Sequence, residues 1–273
     1  MKPKKRYLGT IGMMLLVLFL YSPIVYTVIF SFNDSKSLTK FAGFSTRWYE
    51  KMFNDRTMMN AIVYTVVIAV IATLVSTIVG TLTAIGLSKS GRLLRFAVEQ
   101  VNELPMMNPD IVTAIGLLMF FSALHVDKGF ITLLLAHIMF CIPYVILSIM
   151  PKLRTLDPNL AEAAMDLGAT PMQALVKVII PQVLPGIISG ALIAFTMSFD
   201  DFVISYFSTG NGVNNISIAV YTMRKRVNPS INALSTLVIV LITAGLILYN
   251  IASAIGTRRR RRREEAAAAE SAQ

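Results

Sequence analysis

Long apolar blocks constrain this sequence more than any other feature. Hydrophobic residues make up 55% of the chain and charged residues only 15%. A helix needs about 20 apolar residues to cross a bilayer, and six stretches meet that length. They cover roughly 8–30, 60–87, 104–124, 129–150, 184–208 and 231–256. We therefore expect an all-α membrane protein with six transmembrane helices and little room for a soluble domain.

The basic residues predict which side of the membrane each loop faces. Most of them fall in the N-terminal segment, around Arg92, in the loop 151–183 and in the arginine run 258–263. Cytoplasmic loops carry an excess of Lys and Arg, so both termini are expected inside the cell. We read the arginine run as an anchor to lipid headgroups rather than a nucleic-acid site. Residues 257–273 are predicted to form a basic, disordered cytoplasmic tail.

One outer segment opposes this charge rule. Arg224-Lys225-Arg226 lies in a loop predicted to face outward. A contact with an acidic face of another protein and an ordinary solvated loop both remain open for it.

Several kinds of chemistry are absent from the sequence. Cys141 is the single cysteine, and neither His125 nor His137 has a metal-ligand companion three or four residues away. Both histidines are therefore read as structural, with no metal site. The segment 86–92 lacks the Lys-Ser/Thr ending of a phosphate-binding loop. This chain is not expected to be an enzyme or to hydrolyse ATP.

The loop 151–183 is the largest one predicted on the cytoplasmic side, and its sequence predicts two short helices. Asp157 is expected to cap the first, of about ten residues, and Gly168 to end it in a left-handed conformation. Thr170 repeats the start signal, and Pro181 is expected to stop the second helix.

Three carboxylates lie within the predicted spans, where no Lys or Arg occurs: Asp110, Asp200 and Asp201. A charge at this depth costs roughly 2.5 to 3.5 kcal/mol and normally faces a cavity or a partner. The asymmetry predicts a cationic substrate. Pro105 and Pro109 precede Asp110 and predict a broken helix, a common feature of transporter sites. The alternative is that an Asp caps a broken helix or bonds a neighbour.

The fifth predicted span carries a polar stripe around the two adjacent carboxylates. Asp200 is rotated about 100° from this stripe on the predicted helix. One of the two adjacent carboxylates is expected to hold a proton until a cation arrives, because both resist being charged together in a low dielectric. The stripe comprises Ser198, Asp201, Ser205 and Ser208.

Aromatic residues near these carboxylates suit amines, which gain cation–π attraction over a ring face. An interfacial aromatic belt is the alternative. For Trp48, in the first outer loop, substrate contact and headgroup anchoring both remain open. The others are Phe199, Phe202, Tyr206 and Phe207.

At the cytoplasmic loop the sequence resembles a known family. Glu162-Ala163-Ala164, then Gly168, then Val178-Ile179-Ile180-Pro181, resembles the EAA loop of permease subunits of bacterial binding-protein-dependent ABC importers. In that family the loop forms a coupling helix that docks on an ATPase subunit. The resemblance implies that Glu162, Ala163, Ala164, Gly168 and Pro181 couple this chain to ATP hydrolysis. Ala161, Ala163 and Ala164 are expected to form the close-packing surface.

Further segments resemble the permeases of polyamine importers: "MMNPDIVTAIGLLMFF", "EAAMDLGATP", "SFDDFVISYFSTG" and "VNPSINALSTL". The resemblance covers about 8–256 and implies the type I permease fold in a bacterial inner membrane. It implies a heterodimer with a homologous permease, two ATPase subunits that bind ATP and Mg, and an extracytoplasmic polyamine-binding protein. Spermidine or putrescine would then pass by alternating access. The implied pathway residues are Trp48, Asp110, Ser198, Asp200, Asp201 and Tyr206.

Two other functions remain open from the residues alone. A related ABC importer permease could carry another cationic or small polar solute. A cation channel could also keep buried Asp residues, although the cytoplasmic loop argues against it.

Overall fold

The computed structural model describes most of the chain as helix. No β-strand occurs in the described residues; one isolated antiparallel bridge joins Asn33 to Phe44. The all-α prediction is confirmed. The described residues are 3–37, 39–210, 212–223, 229–245, 247 and 251. Arg224-Lys225-Arg226, the arginine run 258–263 and the predicted tail 257–273 lie outside them.

The chain divides into two compact units, which are Met1–Asp55 with Met223–Gln273, and Arg56–Thr222. The first unit begins with α1 (Pro3–Ser31), whose apolar side chains from Ile11 to Tyr26 are exposed, as a lipid-facing helix requires. A short helix, α2 (Arg47–Asn54), follows an irregular loop.

The second unit holds most of the helices. They are α3 (Arg56–Lys89), α4 (Arg92–Met107), α5 (Asp110–Ala123), α6 (Phe130–Arg154), α7 (Leu160–Asp166), α8 (Pro171–Ala174), α9 (Ile180–Asp200), α10 (Val203–Ser208) and α11 (Ile216–Met223). A last helix, α12 (Ser230–Gly245), belongs to the first unit.

The core of the second unit forms where α3, α6 and α9 pack against one another. Small residues let the backbones approach closely, as is usual between membrane helices. A Cβ added at Gly80 would lie 2.7 Å from Val145 Cγ1, and one at Gly190 would lie 3.2 Å from Val145 Cα. Val145 on α6 thus fills a slot between two glycines, and α10 packs on the same helix beside α5.

Four helical segments in the described residues are long and apolar enough to span a membrane: Gly9–Ser31, Arg56–Lys89, Phe130–Arg154 and Pro171–Asp200. The bent pair α4 and α5 makes a fifth if it counts as one span. The predicted sixth span, 231–256, is described as the shorter apolar helix α12, and part of that range lies outside the described residues.

The predicted third span, 104–124, is not one straight helix. The axes of α4 and α5 are bent by 107° at Asn108 and Pro109, both of which have extended backbones. A residue before proline disfavours the α conformation, which explains the break. Pro105, also expected to interrupt the helix, lies within α4.

The predicted fifth span, 184–208, also differs from the structure in both its start and its continuity. Helix runs from Pro171 to Asp200 and stops there, with Asp201 extended (φ −63°, ψ 130°). Pro181 does not stop it: a π-helical stretch, Leu175–Ile179, precedes α9 and places Pro181 in the first turn of α9. Pro181 has no N–H to donate, and the wider hydrogen bonding of the π-helical stretch, in which the Ile180 N–H donates to the Leu175 carbonyl, lets the helix continue through this point.

The loop 151–183 has the two expected helices with altered bounds. The first, α7, has seven residues rather than about ten, and it begins after Asn159 instead of Asp157. Gly168 ends it with φ +88°, as predicted. Thr170 caps α8 as predicted, and the Gln173 side chain accepts a hydrogen bond from the Thr170 N–H (3.0 Å).

Candidate functional site

The site is centred on the break between α9 and α10. Asp200 is the last residue of α9, and α10 begins at Val203. The Asp201 carboxylate accepts hydrogen bonds from the backbone N–H groups of Ile204 (3.2 Å) and Ser205 (2.7 Å). Asp201 therefore caps the start of α10, where N–H groups have no intrahelical acceptor.

A buried group of polar side chains, here called the polar cluster, surrounds this break. His137 on α6 lies at its centre and is 1% exposed. Its Nδ1 is 2.7 Å from Ser198 Oγ on α9, and its Nε2 is 2.9 Å from Ser205 Oγ on α10. Its Nε2 also lies 3.6 Å from Asp201 Oδ2. The cluster comprises His137, Ser198, Asp201, Ser205 and Asn215.

Asn215 completes the polar cluster from the segment before α11. Its Nδ2 donates to Ser205 Oγ (2.7 Å) and to the Asp201 carbonyl (3.1 Å). Its Oδ1 accepts from the Ile218 N–H (2.9 Å), which caps α11. Four helices are thereby joined through side chains that satisfy the backbone groups freed by the break.

The three intramembrane carboxylates have different surroundings. The Asp201 side chain is 6% exposed, whereas Asp200 is exposed although it is the adjacent residue. Asp110 is also exposed and is the first residue of α5, where the positive end of the helix dipole favours a carboxylate. Two carboxylates are thus free to meet a ligand, and the third is engaged within the protein.

The aromatic residues near the break form a group of rings. Phe202 lies 5.6 Å from Tyr206 and 4.9 Å from Tyr221, measured between ring centroids. Tyr206 is 47% exposed. It also borders a cavity of about 610 Å³ that is lined by Asp127, Lys128, Tyr206, Thr209, Gly210, Gly212, Asn214 and Ile218.

Trp48 belongs to the other compact unit and is 2% exposed. Its Nε1 donates to the Asn33 carbonyl (2.6 Å), and the Arg47 guanidinium lies 4.4 Å from its ring centroid. Lys51 Nζ lies 5.6 Å from the same ring. Cations of its own chain thus lie within cation–π range of the Trp48 ring.

The predicted coupling residues lie on α7, in the turn after it and at the start of α9. Glu162, Ala163 and Gly168 are exposed, and Pro181 is exposed at the start of α9. Ala164 is half-buried. Ala161 was expected on the docking surface but is buried in the core of its own chain, so it cannot form that surface.

Of the six predicted pathway residues, the structure brings Ser198, Asp200, Asp201 and Tyr206 together around one break. Sequence reasoning missed His137 and Asn215 as parts of this site. The available signal for His137 was a lone polar residue in the middle of an apolar span, which needs a buried partner. Within the described part of the chain, no group of three or more His, Cys, Asp or Glu could hold a metal.

Comparisons with known proteins agree with this architecture. Residues 76–262 match the family described as "Binding-protein-dependent transport system inner membrane component". The chain is 40% identical over 233 residues to the putrescine transport system permease protein PotI of Escherichia coli strain K12, covering 81% of this chain and 82% of that protein.

A second relative is the spermidine/putrescine transport system permease protein PotC of Haemophilus influenzae. It is 40% identical over 243 residues, with 89% of this chain and 95% of that protein covered. A solved bacterial ABC transporter that imports the acidic polysaccharide alginate has a chain of the same fold. That chain gives a TM-score of 0.70 at 16% identity and covers 93% of this chain and 98% of its own length.

The family match covers more than half of the sequence, and the two relatives align with it over most of their length. Both relatives are permease subunits by name, and the family is one of the inner membrane. The chain therefore belongs to the inner membrane components of binding-protein-dependent transport systems, as an ABC importer permease of the PotC and PotI kind.

Proposed function

We propose that this chain is one of two permease subunits of an ATP-driven importer that carries polyamines, spermidine or putrescine, into the cytoplasm. It pairs with a homologous permease and receives substrate from an extracytoplasmic polyamine-binding protein. Two ATPase subunits bind ATP and Mg at its cytoplasmic face, since this chain has no phosphate-binding loop. Both termini face the cytoplasm, and the pathway works by alternating access.

The observation that carries the substrate assignment is the exposed carboxylate of Asp200 at a helix break inside an apolar segment, with the exposed ring of Tyr206 on the helix that follows the break. Polyamines carry separated ammonium groups on an alkyl chain, which matches carboxylates next to aromatic faces. The names of the two relatives, which specify putrescine and spermidine/putrescine, support the same substrate class.

The three carboxylates have different roles in this proposal. Asp110 and Asp200 receive the amines directly because their side chains are exposed. Asp201 does not contact the substrate in this proposal. It caps α10 and so stabilises the break between α9 and α10. Ser198 contributes as part of the polar cluster at the break.

The cytoplasmic loop transmits ATP-driven closure to the membrane helices. Glu162 and Ala163 form the exposed docking face of α7, and Gly168 makes the left-handed turn that sets the angle between α7 and α8. Ala164 supports that face, and Pro181 marks the point where the loop enters α9. The helix Pro171–Asp200 then runs from this loop to Asp200, a direct mechanical path between ATPase contact and substrate site.

The test measures ATPase activity and spermidine uptake of the complete four-component complex in proteoliposomes. Spermidine-loaded binding protein is expected to stimulate hydrolysis above the level seen with empty binding protein. The double substitution Asp110→Asn and Asp200→Asn should abolish coupled uptake in a complex that still assembles. Stimulation by a different solute and not by polyamines would discard the substrate. Ion conductance with no ATP dependence would instead favour a channel.

A further inference from the structure

His137 is the one buried ionisable side chain in the site that the proposed transport step does not use. Its ring is 1% exposed, yet both ring nitrogens have hydroxyl partners, Ser198 Oγ at 2.7 Å and Ser205 Oγ at 2.9 Å. A hydroxyl can either donate or accept, so both contacts hold whichever nitrogen carries the proton.

The two serines lie on opposite sides of the helix break. Ser198 is three residues before Asp201 on α9, and Ser205 is four residues after it on α10. One rigid aromatic ring thus holds the end of one helix and the start of the next. An apolar residue of similar size could fill the space at this position but could not fix both helices by hydrogen bonds.

The break needs such a fixture because the local sequence also favours a continuous helix. The polar residues recur at the spacing of one helical face, and side chains of the polar cluster bond three backbone groups at the break, namely the Ile204 and Ser205 N–H groups and the Asp201 carbonyl. Buried polar atoms that lose a partner are costly, so the cluster has one well-defined arrangement.

We propose that His137 is a positioning residue that fixes the α9–α10 break through Ser198 and Ser205 and thereby sets where Asp200 stands in the pathway. This inference rests on the proposed transport function only for the role of Asp200. The clamp itself is a property of the fold and can be measured without any substrate.

The test compares cysteine protection at two fully buried serines. Cys141 is the only cysteine of this chain, so Cys141→Ser gives a background without one. Ser208→Cys on α10 reports on the clamp without removing any of its bonds, because the Ser208 hydroxyl is not part of the polar cluster, and Ser76→Cys on α3 is the matched control, since both serines are 0% exposed. Thiol labelling rates at each position are read on this chain by mass spectrometry, in the assembled complex, with and without His137→Phe.

With His137→Phe, labelling at position 208 should rise by about tenfold, because two hydrogen bonds across the break are lost. Labelling at position 76 should not change. His137→Gln, which keeps one amide able to reach Ser205, should give a smaller rise and also serves if the Phe variant does not assemble. Spermidine uptake per assembled complex should fall in the same order.

An unchanged rate at position 208 in both His137 variants would overturn the proposal. A similar rise at both positions would also overturn it, because it would show general loosening instead of a local clamp. A wild-type complex that takes up no spermidine would refute the proposed function, while the two labelling rates would still decide the role of His137.

Discussion

Asp200 and Asp201 are neighbours in sequence, and their side chains meet different surroundings. The Asp201 carboxylate accepts two backbone hydrogen bonds and is nearly buried, whereas Asp200 is exposed at the end of α9. A carboxylate engaged by N–H donors keeps its charge compensated locally, and an exposed one can exchange water for a ligand. The two residues should therefore respond differently to the same substitution.

Replacing the exposed carboxylate should impair transport and leave folding intact. Asp200→Asn removes one charged contact to an amine, worth roughly 1.5 to 3 kcal/mol, which corresponds to about a ten- to hundredfold loss of spermidine uptake at limiting substrate. Uptake into proteoliposomes measures this. Asp34→Asn is the control, because Asp34 is an exposed carboxylate that pairs with Arg47 outside the site. Equal losses in both variants would contradict the assignment.

Replacing the buried carboxylate should instead lower stability. Asp201→Asn keeps one acceptor oxygen but turns an amide donor toward N–H groups, so about 1 to 3 kcal/mol of stability should be lost. Thermal unfolding of the purified complex, followed by tryptophan or dye fluorescence, should show a lower Tm than wild type. Asp200→Asn should not shift it. If Asp200→Asn lowered the Tm and Asp201→Asn left it unchanged, the two roles would be reversed.

At the scale of helices, the start and end signals in the sequence predicted some features and missed others. Thr170 and Gly168 mark their helix ends because each acts through its own backbone and nearest neighbours. Pro181 was wrongly expected to end the helix. The helix continues through it because the preceding π-helical stretch changes the hydrogen-bond pattern just before the proline, which has no N–H. The end of α9 at Asp200 depends on His137 and Asn215, which are distant in sequence, so local patterns could not predict it.

The glycine slots around Val145 give a prediction about helix packing. Gly80→Ala would place a Cβ 2.7 Å from Val145 Cγ1, and relieving this contact should cost about 1 to 3 kcal/mol. Gly86→Ala on the same helix is the control, because nothing lies within 4 Å of its added Cβ. Helix propensity then makes Gly86→Ala neutral or stabilising. Thermal unfolding should separate the two variants, and equal Tm values would contradict close α3–α6 packing.

The turn after α7 gives a prediction about coupling. Gly168 has φ +88°, so Gly168→Ala should strain the turn by about 1 to 2 kcal/mol. Strain of this size should weaken docking of the ATPase subunit by about five- to thirtyfold, measured as co-purification and as substrate-stimulated hydrolysis. Gly91→Ala, between α3 and α4, should have no such effect, because Gly91 has φ −59°, which alanine adopts without strain. Loss of coupling in both variants would argue against a specific role for this turn.

For the whole molecule, composition was sufficient to predict an all-helical membrane protein, because spanning a bilayer imposes length and hydropathy directly. The motif in the loop 151–183, Glu162-Ala163-Ala164 followed by Gly168, was sufficient to suggest the family. The composition of the site was partly predicted: Asp200, Asp201 and Ser198 were found from charge and spacing. The central role of His137 was not, since it depends on which faces of α6, α9 and α10 meet.

The measurement that tests the central claim most directly is spermidine accumulation in proteoliposomes that contain the complete complex. The binding protein and spermidine are supplied on one side of the membrane, and ATP is supplied on the side of the ATPase subunits. We expect spermidine to accumulate against its gradient only when ATP is hydrolysed, and accumulation to fail with Asp110→Asn combined with Asp200→Asn. Spermidine that equilibrates without ATP, or accumulation that is unchanged in the double variant, would contradict the account.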